Sequence, residues 1–504
     1  MSLKIEDFKL VAEQSYEKRP VIKGYNMRTL HADLGTRKFT LKSVSEDMKR
    51  RFTGGKGFGL KLLWDGTKPT TKWDSPENEI VIAMGPVCGN TNYPGSGKSL
   101  VVSISPMTGI PIDSNVGGYF GPYLKFSGFD ALELQGKAEK ETIVFIDGNE
   151  GILRFYEAPA SLAYDTHIMA EELTHAFAQD ERSLQAVSVV SAGRGADHSP
   201  MGLLNFSLWD KRRQGCRVKQ AGRGGIGTVL RDKRIRALVV RYAGVEQDSN
   251  GAVDPAAVQR IGLKLHREIL VNDDKQCKMR KQGTAHLMEV MNDYDLLPTK
   301  NHKYGQDPRG PEIASWVWEK LFSQDLPDGC WFGCTLACAH AVDHFELFTG
   351  PYKGQKVCVD GPEYETAAGV GSNLYVYDPH GILELNFYCD TYGLDTISFG
   401  TTTSFLRECW ELGILNLERT GGIDLTWGNW KGAAQLLHEL ADGRGFGVMM
   451  GKGVMFLAGH FAKEYGADAQ LMRDIALHGK GLEQSEYVSK ESLAQQGGYY
   501  LTNK

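Results

Sequence analysis

The hydrophobic pattern of this chain changes period once, near residue 250, and that change limits the folds open to it. Up to residue 243 the apolar residues come in short, β-branched runs bounded by Gly, Pro, Asn or Asp: EIVIAMG (79–85), SLVVSISP (99–106), ALELQGKA (131–138), TIVFIDG (142–148), AVSVVSAG (186–193) and ALVVRYAG (237–244). Runs of this kind read as strands. Beyond residue 254 the spacing turns helical. Asp254-Pro255 supplies a cap and a first turn, and Val258, Ile261, Leu265 and Ile269 then recur on one helix face. Asp378-Pro379 opens a second helix that Gly393 ends, and 429–443 reads as a third. The apolar segment GVMMGKGVMFLAGHF (447–461) reads as a buried helix. The polar, glycine-containing connector at 244–254 is the best domain boundary. The expected fold class is therefore α+β: a β-rich domain over 1–243, a helical domain over 244–445, and the start of a second helical domain over 446–504.

Composition narrows the function. A net charge of −5 on 504 residues gives no global pull toward nucleic acid. The N-terminus lacks the apolar core of a secretory signal, and no run of ~18 apolar residues predicts a membrane span. A cytoplasmic location is expected. In such a compartment nine cysteines are better suited to metal or redox use than to structural disulfides. Glycine is in excess, 59 of 504 residues, and clusters in loops rather than in repeats.

The strongest local signal is Cys330-Trp-Phe-Gly-Cys334-Thr-Leu-Ala-Cys338. Three thiolates in nine residues can converge on a metal; an iron–sulfur cluster and a structural zinc ion both accept such ligands, and nearby His340 and His344 keep zinc open. Glycine-rich loops at 54–57, 95–99, 113–118 and 222–225 could bring backbone N–H groups to an anion, with Lys56, Lys98 or Arg223 as countercharge. None is a P-loop or a dinucleotide fingerprint. In GPEYET (361–366) Glu363 and Glu365 lie two apart, and an extended segment would point both to one face, where burial could tune one toward general-base work.

Taken in order, these pieces resemble the tungsten aldehyde ferredoxin oxidoreductase family. The run GPVCGNTNYPGSGKSLVVSISPMTGIPIDSNVGGYFGPYLKFSGFDALELQGKA (85–138) is the most specific, followed by AGRGGIGTVL (221–230), the cysteine cluster, GPEYET and DTYGLDTIS (390–398). The resemblance covers about 26–490. It implies an N-terminal β-sheet saddle that binds pterin, then mostly α-helical domains. It also implies a tungsten (or molybdenum) bis-molybdopterin, a [4Fe-4S] cluster and a magnesium ion bridging pterin phosphates. Carried over residue by residue, Lys98, Asn115, Gly117 and Gly118 match contacts of one pterin. Arg223, Gly224 and Gly225 match a loop at the second, and Asp390, Gly393, Leu394 and Asp395 match an Asp-x-x-Gly-Leu pterin motif. Cys330, Cys334 and Cys338 match cluster ligands, Glu365 the active-site carboxylate and His478 the active-site histidine. Glu384 falls where some members place a metal ligand between subunits.

The sequence also departs from the family pattern. The first cysteine gap is three residues instead of two. Lys98 stands where an arginine is usual, so a charge remains without the planar fork. Cys358 before GPEYET is unusual. No cysteine follows Cys409, although the family takes its fourth cluster ligand from a late motif, so the chain is expected to be part of a longer one. The implied activity is oxidation of a small aldehyde, with ferredoxin or an iron–sulfur subunit as electron partner in a homodimer or hetero-oligomer. Two rivals are the catalytic subunit of a benzoyl-CoA reductase, taking an acyl-CoA, and a zinc-stabilised scaffold without redox activity.

Overall fold

A computed structural model describes residues 3–323 and 328–501. The chain divides into two compact units, each considered by itself.

The first unit comprises residues 1–193, 203–272 and 329–336 and is built on two mixed sheets. Its strands are β1 (Lys9–Ser15), β2 (Arg28–Asp33), β3 (Lys38–Ser43), β4 (Ile80–Ala83), β5 (Ser99–Ile104), β6 (Pro111–Val116), β7 (Ala131–Gln135), β8 (Thr142–Asp147), β9 (Ile152–Glu157), β10 (Val187–Ser191), β11 (Leu204–Asp210), β12 (Gly215–Ala221) and β13 (Ile235–Arg241). Six strands run in the order β3-β2-β7-β4-β5-β6 and seven in the order β1-β9-β8-β13-β10-β11-β12. The β2–β7 and β8–β13 pairs are parallel and the others antiparallel. β4 is apolar and buried at every position. One cause is the helix Lys56–Gly66, whose Phe58, Leu62 and Leu63 pack with Val81, Val102 and Ala131. Gly59 makes that contact possible, because a Cβ there would lie 2.5 Å from Val102 Cγ2. On the larger sheet the helix Thr166–Phe177 sets Met169, Leu173 and Phe177 against Ile143, Phe145, Val187 and Val239. All six strands expected from the alternating runs are present.

The second unit comprises 194–202, 273–328 and 337–504 and is mostly helical. Asp378 caps the helix Pro379–Tyr392 by accepting from the His380 N–H, and Gly393 ends it at φ +70°. Asn429 likewise caps Trp430–Ala441. Short hairpins β14 (Ala341–Glu346) with β15 (Lys356–Asp360), and β16 (His478–Gly479) with β17 (Leu482–Glu483), interrupt the helices.

One expectation is corrected here. The segment 447–461 is two helices, Gly445–Met450 and Val454–Glu464, because Gly453 takes φ +84° between them; Met455 and Phe456 are exposed. The sheet-bearing unit also takes in two later segments. The helix Pro255–Asn272 and the cysteine loop 329–336 both belong to it. Gly262 lies against the Asn92 carbonyl, and His266 bridges that carbonyl (3.1 Å) to Thr335 Oγ1 (2.7 Å).

Candidate active site

The cysteine loop is seated on glycines of the six-stranded sheet. A Cβ at Gly97 would lie 2.2 Å from Trp331 Cβ, and one at Gly117 would lie 2.8 Å from Cys330 Cβ and 2.9 Å from its Sγ. Lys98 Nζ is 3.8 Å from the same point at Gly117. The Gly118 N–H donates to the Cys330 carbonyl (3.2 Å), and the Gly95 N–H donates to Cys334 Sγ (3.3 Å). Amide hydrogen bonds to cysteine sulfur, such as that from Gly95, are among the features that tune iron–sulfur centres. Trp331 and Phe332 wedge the loop edge-on and tilted against Tyr119.

Because no positive φ is involved at Gly117, its substitution tests sterics alone. Gly117→Ala is expected to displace Cys330 and lower iron retention by more than half in metal analysis of the purified protein. Gly459→Ala, with open space around it, is expected to change nothing.

Around β6 the same unit gathers much of the predicted anion-binding set. Asn115 is exposed, paired opposite Leu100, and Lys98 precedes β5 on the neighbouring strand. The Arg223 N–H donates to Ser114 Oγ (3.3 Å), and Gly224 sits on Ile112 at φ +87°, a fit and a conformation that select glycine. Gly225 continues the loop at φ +73° as the N-cap of the helix Ile226–Asp232. Lys56 pairs with Asp113 (2.9 Å), so its charge is already used.

The second unit places the remaining residues. Cys338 lies here, while Cys330 and Cys334 lie in the first unit. Among the described residues no group of three or more His, Cys, Asp or Glu is placed to hold a metal ion. His340 is a core residue, stacked on Phe322 at 4.5 Å with Nε2 on the Met279 carbonyl; His344 is exposed.

Glu363 and Glu365 do not share an extended face, because the helix Tyr364–Gly369 starts between them. Glu363 accepts from Thr284 Oγ1, whereas Glu365 Oε2 accepts the Glu486 N–H (2.8 Å). Glu486 is itself fully buried, held by Asn373 Nδ2 (3.0 Å) and Thr401 Oγ1 (3.0 Å). Tyr364 and Tyr487 stack nearby, and both phenols are pushed up by burial, with the charge of Glu365 adding to it. His478 opens the hairpin that leads to Glu486. Its Nδ1 accepts the Gly481 N–H (3.2 Å), so Nε2 carries the proton, and burial lowers its pKa, which keeps the ring neutral.

Asp390 lies in the last turn of its helix, Leu394 is buried beside Gly195, and Asp395 caps the next helix by accepting from the Ile397 N–H (3.0 Å) and Ser398 Oγ (2.8 Å). Glu384 is fully buried and accepts from the Phe348 N–H (2.9 Å), the Thr349 N–H (2.7 Å) and Thr349 Oγ1 (2.6 Å), which uses its carboxylate inside the chain. Cys358 is exposed on β15. Sequence reasoning missed Glu486 and Tyr487. Their signal was an acid every third residue, Glu483 and Glu486, in the segment just after His478.

The chain belongs to the aldehyde ferredoxin oxidoreductase family: the family's N-terminal domain matches residues 29–242 and its domains 2 and 3 match 260–504. It is an oxidoreductase of that type. The tungsten-containing aldehyde ferredoxin oxidoreductase of Pyrococcus horikoshii is 30% identical over 448 residues, 87% of this chain and 68% of the relative. That of Pyrococcus furiosus is 30% identical over 484 residues, 95% of this chain and 72% of the relative. An aliphatic sulfonate oxidoreductase, WOR-like subunit, of Pyrococcus furiosus is 27% identical, over 91% of this chain and 70% of the relative. Among solved structures, the active-site complex of benzoyl coenzyme A reductase with 1,5-dienoyl-CoA shares the fold, with a TM-score of 0.70 at 20% identity, over 92% of this chain and 66% of that one. Among the described residues no helix is long and apolar enough to cross a membrane.

Proposed function

We propose that this chain oxidises a small aldehyde to a carboxylic acid and passes the electrons singly to a ferredoxin-type carrier. The reaction balances as aldehyde plus water giving acid, two protons and two electrons. The observation that carries the reading is the seating of Cys330 on Gly117, with Lys98 beside it, on the sheet that also presents Asn115 and receives the Arg223 loop.

The residues fit the cofactors that the family implies. Gly97 and Gly117 are cradles a Cβ would fill, Cys334 already accepts an amide N–H as a cluster thiolate does, and Lys98 and Arg223 offer charge to pterin phosphates. A bound tungsten or molybdenum bis-pterin would supply the two-electron couple, and a [4Fe-4S] cluster with Cys330 and Cys334 among its ligands the one-electron exit. A magnesium ion, if bound, would supply further positive charge for the pterin phosphates. Asp390 and the Gly393 turn would contribute to holding pterin. Asp395 contributes by fixing the helix behind them.

The chain's own work is proton handling and orientation. Glu365, anchored by the Glu486 amide, takes the proton of water or of the aldehyde hydrate. Neutral His478 donates from Nε2 to the oxygen on which negative charge develops. A homodimer or a complex with an iron–sulfur subunit would carry the electrons onward.

The benzoyl-CoA reductase reading stays second, supported by the shared fold. One experiment separates all three readings: metal analysis of anaerobically purified protein, followed by assays with aldehydes and aromatic acyl-CoA. About one tungsten and about four iron per chain with aldehyde-dependent viologen reduction is the expected result. Acyl-CoA reduction without aldehyde oxidation would replace it with the second reading, and zinc alone would favour the scaffold.

A further inference from the structure

The helix Pro255–Asn272 is 18 residues long and buries only Gly262. A surface helix of that length ordinarily hides one apolar stripe. Here Ile261, Leu263, Leu270 and Val271 are each between 45% and 59% exposed. Arg260, Lys264 and Arg267 are exposed on the same helix, with Lys264 3.7 Å from Glu268. Neither Arg260 nor Arg267 has an ion-pair partner among the described residues. A positive, partly apolar ridge is thus presented to solvent at a cost that no contact within the described residues repays.

The opposite side of this helix holds the cysteine loop. Gly262 allows close approach to the Asn92 carbonyl, and His266 ties that carbonyl to Thr335 Oγ1, the residue after Cys334. A body resting on the outer side would therefore be separated from the Cys334 loop by about one helix diameter, ~10–12 Å.

We infer that the outer side of the helix Pro255–Asn272, with Arg260, Lys264 and Arg267 around Leu263, is the docking face for an acidic iron–sulfur electron carrier. The inference rests on the reading above that the cysteine loop is the electron exit. Arg260 and Arg267, with no ion-pair partner among the described residues, and Lys264, which shares its charge with Glu268, complement an acidic partner, steer its approach and set its orientation. Leu263 adds an apolar contact at the centre of the patch, and the weakly anchored apolar residues toward the helix end give further area to bury.

The test titrates an acidic bacterial ferredoxin of the 2[4Fe-4S] type against the intact protein and its Arg260→Glu/Arg267→Glu variant, at low and moderate salt. Lys68→Glu/Lys72→Glu, exposed lysines elsewhere on the first unit, controls for the same change in net charge. The expected result is a loss of affinity of about tenfold or more in the Arg260/Arg267 variant at low salt, a flatter salt dependence, and wild-type behaviour in the control. With aldehyde as donor, the variant should show a raised KM for ferredoxin and an unchanged rate with viologen, which needs no docking. Equal affinity and salt dependence in the wild type and the Arg260/Arg267 variant would overturn the docking face. So would a self-associated wild-type protein that the Arg260/Arg267 change converts to monomer, since the face would then join copies of this chain. Absence of any aldehyde-dependent viologen reduction in the wild type would remove the parent reading while leaving the binding titration to decide the docking face.

Discussion

Glu365→Gln is expected to lower the aldehyde oxidation rate by about 10²–10⁴-fold, the usual contribution of a placed general base, with tungsten and iron content unchanged. The amide retains an oxygen that can accept the Glu486 N–H, now 2.8 Å from Glu365 Oε2, so the start of the helix Tyr364–Gly369 keeps its anchor. Only the ability to take up a proton is lost. Steady-state turnover with viologen, measured beside metal analysis, separates the two effects. A variant that turns over like the wild type would remove Glu365 from the chemistry. One that loses metal would make it a structural residue.

The second large effect concerns stability. Glu79 is fully buried next to β4, and among the described residues neither carboxylate oxygen has a hydrogen-bond partner; His31 Nε2 lies 3.9 Å away. Its neighbour Glu133 is also buried but is satisfied by Thr29 Oγ1 and Lys42 Nζ, each at 2.6 Å. Burial, and then the charge of Glu133, push the Glu79 carboxyl up to about 8. The folded protein therefore keeps this proton while the unfolded chain loses it near ~4.3. Folding binds a proton across that window, so stability falls as pH rises from about 4.5 to about 8 and levels off above. Gln mimics the neutral acid and does not titrate. Glu79→Gln should match the wild type near pH 4.5 and exceed it by on the order of 3 kcal/mol at pH 8. Unfolding midpoints of both proteins across that range check this; parallel curves would mean that Glu79 is not protonated in the fold.

Much of the architecture was readable from local pattern. Six strands followed from β-branched runs between turn residues, and the caps Asp254, Asp378 and Asn429 from the residue types that satisfy free amides at a helix start. β1, β2, β3, β6, β9, β11 and β12 were not read, because their polar alternation, as in KFTLKS and GCRVKQA, becomes informative only beside a partner strand. The helix break at Gly453 was hidden for a related reason: two short apolar helices and one long one have the same composition.

For the site, the chain alone determined which chemical groups are available: three closely spaced thiols, glycine loops with Lys98 and Arg223, one acid pair and one late histidine. Those are properties of residue type and spacing, which survive without a fold. Tertiary structure decided which groups are free to act. It turned Glu363 and Glu365 apart by starting a helix between them, committed Glu384 and Asp395 to backbone amides, made His340 a stacked core residue, and supplied the Glu486 amide that holds Glu365 from 121 positions away. The physical reason is that a buried polar group must find a partner, and which partner it finds depends on segments distant in the chain that only the fold brings together.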